Sequence, residues 1–171
     1  MLSLNFPQKT ATPLKILCLG SHSDDIEIGC GGTILRLLAE GHKIDVTWVV
    51  LASNAHRERE ARNSADQFLG RADKKNVIVK SFRDGFFPFE GAQIKNYFEQ
   101  EIKLISPDLI FTHNRKDAHQ DHRLVAELSW NTFRNHLILE YEIPKYDGDM
   151  GRPNFFVLLD REICEEGAEK A

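Results

Sequence analysis

Short apolar runs alternate with amphipathic segments along this chain, and this alternation limits the fold more than any other feature of the sequence. The first run, Leu14–Leu19, is mostly apolar, which is typical of a strand buried on both faces of a sheet. The next segment, Thr33–Glu40, has apolar residues at helical spacing and ends before Gly41. A repeated strand–helix order predicts an α/β fold with a mostly parallel β-sheet and helices on both faces.

The same pattern continues toward the end of the chain. Further strands are predicted at Lys43–Ala52, Asn76–Val79, Asp108–Thr112, Leu137–Ile143 and Asn154–Leu159, and further helices at Arg57–Leu69, Ala92–Ile105 and Asp121–Asn135. Ligands in such folds bind beyond the carboxyl ends of the strands, so we expect functional residues in the loops that follow them.

Composition narrows the class of protein. A length of 171 residues with 42% hydrophobic residues predicts one domain over 1–171. No apolar run reaches the roughly 20 residues needed to cross a bilayer, and Met1–Thr10 lacks a signal-peptide pattern, so a cytoplasmic protein is expected. A net charge of -4 argues against nucleic acid as a partner and favours a small molecule. Three cysteines without a C-x-x-C pair argue against a disulfide framework or a cysteine-based zinc site.

Two polar clusters follow predicted strands. His22-Ser23-Asp24-Asp25 comes after the first strand, and His119-Gln120-Asp121-His122 comes after the strand Asp108–Thr112. Together, His22, Asp25 and His122 offer two imidazoles and a carboxylate, a ligand set that leaves one position open in catalytic zinc sites. The neighbouring Asp24 is then available as a base.

Each cluster also has an ordinary structural interpretation. Asp and Ser between a strand and a helix often cap the helix or form a turn, and His119 with Asp121 would be unremarkable loop polarity. Their joint placement at strand ends favours the metal site, because it supplies more acid–base groups than capping requires. His113 and Asp117 are then candidates to hold the ligand imidazoles. The other histidines have no polar neighbours of this kind and are predicted to be surface or packing residues: His42, His56 and His136.

Two other segments carry weaker signals. The glycine-rich stretch Gly29–Thr33 resembles a phosphate cradle, but a dinucleotide fingerprint needs glycine at Ile34, so close helix packing is the preferred interpretation. Cys30 within it is predicted to be a packing residue. The loop Arg83–Gly91 carries three phenylalanines, which either line a pocket or, as we prefer, pack on the core.

The residues Gly20–Thr33 and His113–His122, taken together, resemble the paired motifs of the PIG-L/LmbE-like N-deacetylases. The resemblance runs from about Leu14 to Leu159. It implies a Rossmann-like fold, a divalent metal, usually zinc although another such as Fe²⁺ would serve, and removal of acyl groups from N-acyl sugars and related conjugates. One departure is Ser23, where members often have proline, which affects loop stiffness more than chemistry.

The resemblance also implies a role for each matching residue. His22, Asp25 and His122 are the metal ligands, Asp24 is the general base, and His119 assists the oxyanion and the leaving group. Asp121 is expected to orient His119. Arg57 matches an arginine that contacts substrate, although Arg59 lies close enough to compete for this assignment.

The expected reaction is hydrolysis of the amide of an N-acetylated sugar conjugate. Asp24 takes the proton of the attacking water, and either protonated Asp24 or the imidazolium of His119 returns a proton to the departing nitrogen. Two alternatives stay open. One is a metal-containing binding or scaffold domain with weak or no turnover, and the other is a hydrolase of a different small amide or an ester.

The C-terminal region predicts incomplete coverage of the sheet. Only Asp160–Ala171, rich in Glu, follows the predicted strand Asn154–Leu159. Because helices normally shield both faces of a parallel sheet, we expect that the chain lacks the usual C-terminal extension of its family, or that another subunit of a homo-oligomer covers the exposed face.

Overall fold

The computed structural model describes residues 12–170 and contains a five-stranded parallel sheet in the order β3-β2-β1-β4-β5. Its strands are β1 (Leu14–Gly20), β2 (Ile44–Val50), β3 (Lys74–Val79), β4 (Leu109–His113) and β5 (Leu137–Tyr141). The predicted α/β class, with a parallel sheet, is confirmed.

Helices cover both faces of this sheet, as predicted. They are α1 (Gly32–Ala39), α2 (Ala55–Phe68), α3 (Gly91–Gln100), α4 (Gln120–Thr132) and α5 (Arg161–Lys170), with a short 3₁₀ turn at Ile102–Leu104. One apolar core lies between the sheet and α1, α2 and α5, where Trp48 packs near Phe68. The second lies between the opposite face and α3 and α4 and includes Phe87 and Phe98.

Strand β1 occupies the centre of the sheet, which explains its apolar sequence. Ile16 and Cys18 belong to one core while Leu17 and Leu19 belong to the other, so the strand is buried on both faces. It pairs with β2 on one side and with β4 on the other. The connections therefore reverse direction between β1 and β4, which creates a crevice at the carboxyl ends of these two strands.

A π-helical turn, Glu27–Gly31, precedes α1 in a region that the sequence predicted to be a loop. The glycines of this turn allow close packing, as expected. A Cβ atom added to Gly29 would lie 2.1 Å from the ring of Tyr141, and one added to Gly31 would lie 2.6 Å from the ring of Phe68. The turn is thereby pressed against both a strand and a helix, and Cys30 is buried beside them.

The prediction of a strand at Asn154–Leu159 is wrong. This segment pairs with no strand in the described part of the chain, and it runs beside α1, where the Leu158 carbonyl accepts a hydrogen bond from Arg36 and the Leu159 side chain approaches Gly32. Apolar content alone suggested a strand, but these carbonyl and side-chain contacts are made to a helix rather than to a sheet edge. The helix α5, which follows it, was not predicted.

No helix within residues 12–170 combines the length and apolar character needed to cross a membrane. The expectation made for Met1–Thr10 falls outside the described residues.

Candidate metal centre and active site

The loops after β1 and β4 bring His22, Asp25 and His122 together in the crevice. Nδ1 of His22 lies 3.2 Å from Nε2 of His122. The two oxygens of Asp25 lie 3.4 Å from these same two nitrogens, Oδ2 near His22 and Oδ1 near His122. The three residues that the sequence suggested as ligands therefore share one location.

These separations fit a metal ion. Donor atoms about 2.0–2.1 Å from a tetrahedral zinc ion lie about 3.3 Å from one another. The two imidazole nitrogens are 3.2 Å apart, and each lies 3.4 Å from a different oxygen of Asp25. His22 and His122 would contribute neutral nitrogen donors when deprotonated. The donor set of two imidazoles and one carboxylate suits zinc and related divalent ions.

Asp117 holds the His122 ring from its far side. Its Oδ2 lies 2.9 Å from Nδ1 of His122, and its Oδ1 accepts a hydrogen bond from the backbone amide of His119 at 2.7 Å. Burial favours a raised pKa for Asp117, but hydrogen bonds from His122 and Lys145 lower it below the usual value. The Asp117 carboxylate therefore accepts a hydrogen bond from the protonated Nδ1 of His122. The lone pair of Nε2, the nitrogen that faces Asp25, is then available to bind a metal.

Asp121 has the corresponding relation to His22. Its Oδ2 lies 3.3 Å from Nε2 of His22, and its two oxygens accept backbone amides from Gly85 at 2.7 Å and Phe87 at 3.1 Å. Asp84 also approaches this nitrogen, at 3.1 Å, from a largely exposed position. The Asp121 carboxylate thus contacts His22 and the loop after β3, and it also lies within 4.8 Å of a ring nitrogen of His119, the residue that it was expected to orient. Nδ1 of His119 accepts the Asp121 backbone amide.

His113 lies beneath the cluster. Its ring stacks on that of His122 with centroids 3.9 Å apart, and its Nε2 accepts the Ser21 amide at 3.0 Å. This nitrogen also lies 3.2 Å from Asp25, so Asp25, His113 and His122 form a second group with ligand spacing. Because the Ser21 amide already uses Nε2 of His113, the set containing His22 is the better candidate.

The charged groups of the cluster shift one another's pKa values. Burial by itself lowers the pKa of His22, but the hydrogen bond and charge of Asp25 and the charges of Asp84 and Asp121 outweigh it and raise that pKa to about 9. Burial favours a raised pKa for Asp25, but His113, His122 and His22 hold it well below the usual range. His22 and Asp25 therefore form an ion pair, and His22 would have to lose its proton to coordinate a metal ion.

Asp24 and His119 are the residues predicted to move protons or to stabilise the oxyanion. Asp24 is exposed, directly before Asp25. His119 caps α4, with its Nδ1 accepting the Asp121 amide at 3.2 Å, and its ring lies 4.6 Å from that of His122. Burial and the neighbouring His122 and His22 lower the pKa of His119. A neutral His119 therefore carries its proton on Nε2, the nitrogen that is not used by the cap.

Arg57 lies at the same edge of the sheet, in the first turn of α2, where its backbone amide is capped by Asn54. Its side chain is exposed, and within residues 12–170 it makes no ion pair or hydrogen bond with the cluster.

Two residues of the site were missed from the sequence: Asp84 and Lys145. Asp84 follows β3, so its position at the carboxyl end of a strand is a signal that could have identified it. Lys145 follows β5 and lies 2.9 Å from Oδ1 of Asp117. Nothing in the local sequence distinguishes this lysine from a surface residue.

Several known proteins are similar to this chain. A curated relative from Escherichia coli K12, named as the uncharacterized deacetylase YaiS, is 28% identical over 147 residues, which cover 75% of this chain and 74% of the relative. The solved N,N'-diacetylchitobiose deacetylase from Pyrococcus horikoshii superposes with a TM-score of 0.65 at 21% identity, covering 91% of this chain and 67% of that one. The zinc-inhibited form of a teicoplanin deacetylase superposes with a TM-score of 0.70 at 12% identity, covering 91% and 82% of the two chains. Both structures share the fold.

The model of the PIG-L family, described as GlcNAc-PI de-N-acetylase, matches residues 17–133. The matched range contains both polar loops of the crevice. This chain is therefore a member of the PIG-L family of deacetylases.

Proposed function

We propose that this chain is a metal-dependent hydrolase that removes an acetyl group from the amide nitrogen of an N-acetyl amino sugar or its conjugate. The observation that carries this proposal is the convergence of His22, Asp25 and His122, whose ring nitrogens lie 3.2 Å apart and each 3.4 Å from one of the two Asp25 oxygens. Relatives that act as deacetylases on chitobiose and teicoplanin support the reaction and the sugar-containing substrate.

The metal is assigned to His22, Asp25 and His122. A divalent ion bound there lowers the pKa of water and polarises the amide carbonyl, two changes that amide hydrolysis needs because water is a weak nucleophile and an amide a weak electrophile.

Asp24 is proposed as the general base. It is exposed to solvent and directly precedes the proposed ligand Asp25 in the chain, so its carboxylate would be available to accept a proton from the attacking water. Its neighbour Asp25 is engaged with the histidines of the cluster. Asp84 and Asp121 lie at Nε2 of His22, the ring nitrogen that does not face Asp25, so Asp24 is the carboxylate proposed for this step.

His119 is proposed as the hydrogen-bond donor to the oxyanion. Its Nδ1 accepts the Asp121 amide, so the proton of the neutral ring is on Nε2 and is available to developing negative charge. Burial and the neighbouring histidines favour this neutral state over an imidazolium. The proton required by the departing nitrogen is therefore assigned to Asp24, which received it from water in the preceding step.

Arg57 is proposed as a substrate contact. Its exposed guanidinium at the start of α2 borders the same edge of the sheet, where it would bind polar groups of the sugar or of its attached moiety. Asp121 is assigned a supporting role behind His22.

The test is acetate release from a panel of substrates. The panel contains N-acetylglucosamine, N,N'-diacetylchitobiose, a lipid-linked N-acetylglucosamine, an N-acetyl amino acid and an acetate ester, each with zinc-loaded protein. We expect acetate and a free amine from at least one N-acetyl sugar, and no release by Asp24→Asn. Acetate release only from the amino acid or the ester would contradict the proposed sugar substrate and favour a hydrolase of another amide or an ester. Release from none of the compounds would favour a binding or scaffold role.

A further inference from the structure

The segment 145–149, which follows β5, contacts the loop that precedes His119 and His122. Nζ of Lys145 lies 2.9 Å from Oδ1 of Asp117 and 2.7 Å from Oδ2 of Asp149. Asp149 in turn accepts the backbone amide of Ala118. Lys145 and Asp149 thus bind the loop at two neighbouring residues, Asp117 and Ala118, immediately before His119.

The central member of this arrangement is a buried carboxylate. The Asp117 side chain is 1% exposed, and Lys145 is the one lysine or arginine within residues 12–170 that forms an ion pair with it. Burying a carboxylate without a compensating positive charge costs free energy. Such a carboxylate would lower this cost by moving toward solvent or by binding a proton. Lys145 removes this cost while the other oxygen of Asp117 remains bonded to His122.

We propose that Lys145 is a positioning residue of the metal centre, which by bridging Asp117 and Asp149 holds the Asp117 carboxylate against Nδ1 of His122 and directs Nε2 of that ring toward Asp25 and His22. A ligand imidazole must be neutral, so it cannot itself provide the positive charge that Asp117 requires. Lys145 provides that charge from outside the ligand set. This inference rests on the proposed function, because it takes His122 as a metal ligand.

The test compares zinc affinity, measured by competition with a chromophoric chelator, in wild type and three variants. Lys145→Met is expected to bind zinc about 10-fold more weakly, at the lower end of the effect of residues that support a ligand. Lys145→Arg, which keeps the charge, is expected within about 3-fold of wild type, a rescue that a purely structural role for the aliphatic stem would not require. Lys116→Met is the matched control, because Lys116 is exposed on the same loop and forms no ion pair within residues 12–170.

The outcomes separate this inference from the proposed function. Wild-type zinc affinity in a folded Lys145→Met variant would overturn the role of Lys145 and leave the metal site intact. If wild type itself bound no zinc, the ligand assignment would be wrong. Should Lys145→Met not fold, Lys145→Gln is measured in its place, since it keeps a hydrogen-bond donor without the charge, and the same two results decide.

Discussion

Oδ2 of Asp121 lies 3.3 Å from Nε2 of His22, the ring nitrogen that does not face Asp25. Asp117 bears the same relation to His122, with Oδ2 2.9 Å from Nδ1. Each candidate ligand imidazole therefore has a buried carboxylate at its other nitrogen. Such carboxylates fix the tautomer and the orientation of a ligand ring.

The role of Asp121 can be tested by its substitution. Asp121→Asn is expected to weaken zinc binding by about 10- to 100-fold, because the charge behind His22 is lost. Zinc affinity from chelator competition is the measurement. Asp84→Asn is the control, since Asp84 also approaches Nε2 of His22 but is 69% exposed, and water screens its charge. If Asp121→Asn kept wild-type affinity and lost only turnover, Asp121 would instead act on His119.

Asp24→Asn separates the base from the ligands. The amide has nearly the same shape as the carboxylate but cannot accept a proton, so kcat is expected to fall by about 10²-fold or more while zinc content stays at the wild-type level. Steady-state acetate release and elemental analysis on the same preparation measure both quantities. Turnover within a few-fold of wild type at full zinc occupancy would exclude Asp24 as the base.

His119→Asn tests the donor to the oxyanion while preserving the helix cap. Asparagine is a good N-cap, so the thermal midpoint should change little, but its shorter side chain cannot reach the position of Nε2. The expected loss in kcat is about 10²- to 10³-fold, with substrate binding and zinc content retained. A large fall in the thermal midpoint with unchanged kcat would show that His119 serves mainly as a cap.

Glu27 provides a test in the pH dependence of stability. Its side chain is buried in the π-helical turn, and burial raises its pKa from 4.5 to about 7. Between these two values the folded chain binds more protons at this site than the unfolded chain, so the free energy of unfolding decreases as pH rises. At about 1.4 kcal/mol per pKa unit, the decrease reaches up to about 3 kcal/mol by pH 8.

Glu27→Gln removes this titration. Urea unfolding at pH 5 and pH 8 is expected to show a smaller loss of stability for the variant than for wild type over this interval. Glu127→Gln, at an exposed position of α4, is the control for the change in net charge. Equal pH dependence in wild type and Glu27→Gln would show that Glu27 titrates near its ordinary pKa in the folded chain.

The sequence predicted the structure best where the pattern of apolar residues, or the position of polar residues after strands, was compatible with a single arrangement. The apolar run of β1 predicted a central strand, and the polar residues that follow β1 and β4 were expected to meet because parallel strands end at one edge. Local composition gave a wrong prediction at Asn154–Leu159, because this apolar segment contacts the helix α1 and does not pair with a strand. Lys145 could not be predicted, because its contact with Asp117 depends on the path of the chain after β5.

The partner of Asp121 was also beyond local analysis. Proximity along the chain suggested His119, and the carboxylate does lie within 4.8 Å of a ring nitrogen of His119. It also contacts His22, 99 positions away, and two amides of the loop after β3. Such a contact requires the relative placement of three loops, which the order of strands alone does not determine.

The most direct test of the account is the zinc content of purified protein, measured by elemental analysis after dialysis against dilute zinc. Wild type and His136→Ala, which alters an exposed histidine away from the cluster, are expected to hold one zinc per chain. His22→Ala, Asp25→Ala and His122→Ala are each expected to fall well below this value, because two protein ligands rarely retain zinc. One zinc per chain in the folded His122→Ala variant, at wild-type affinity, would contradict the assignment of the metal centre.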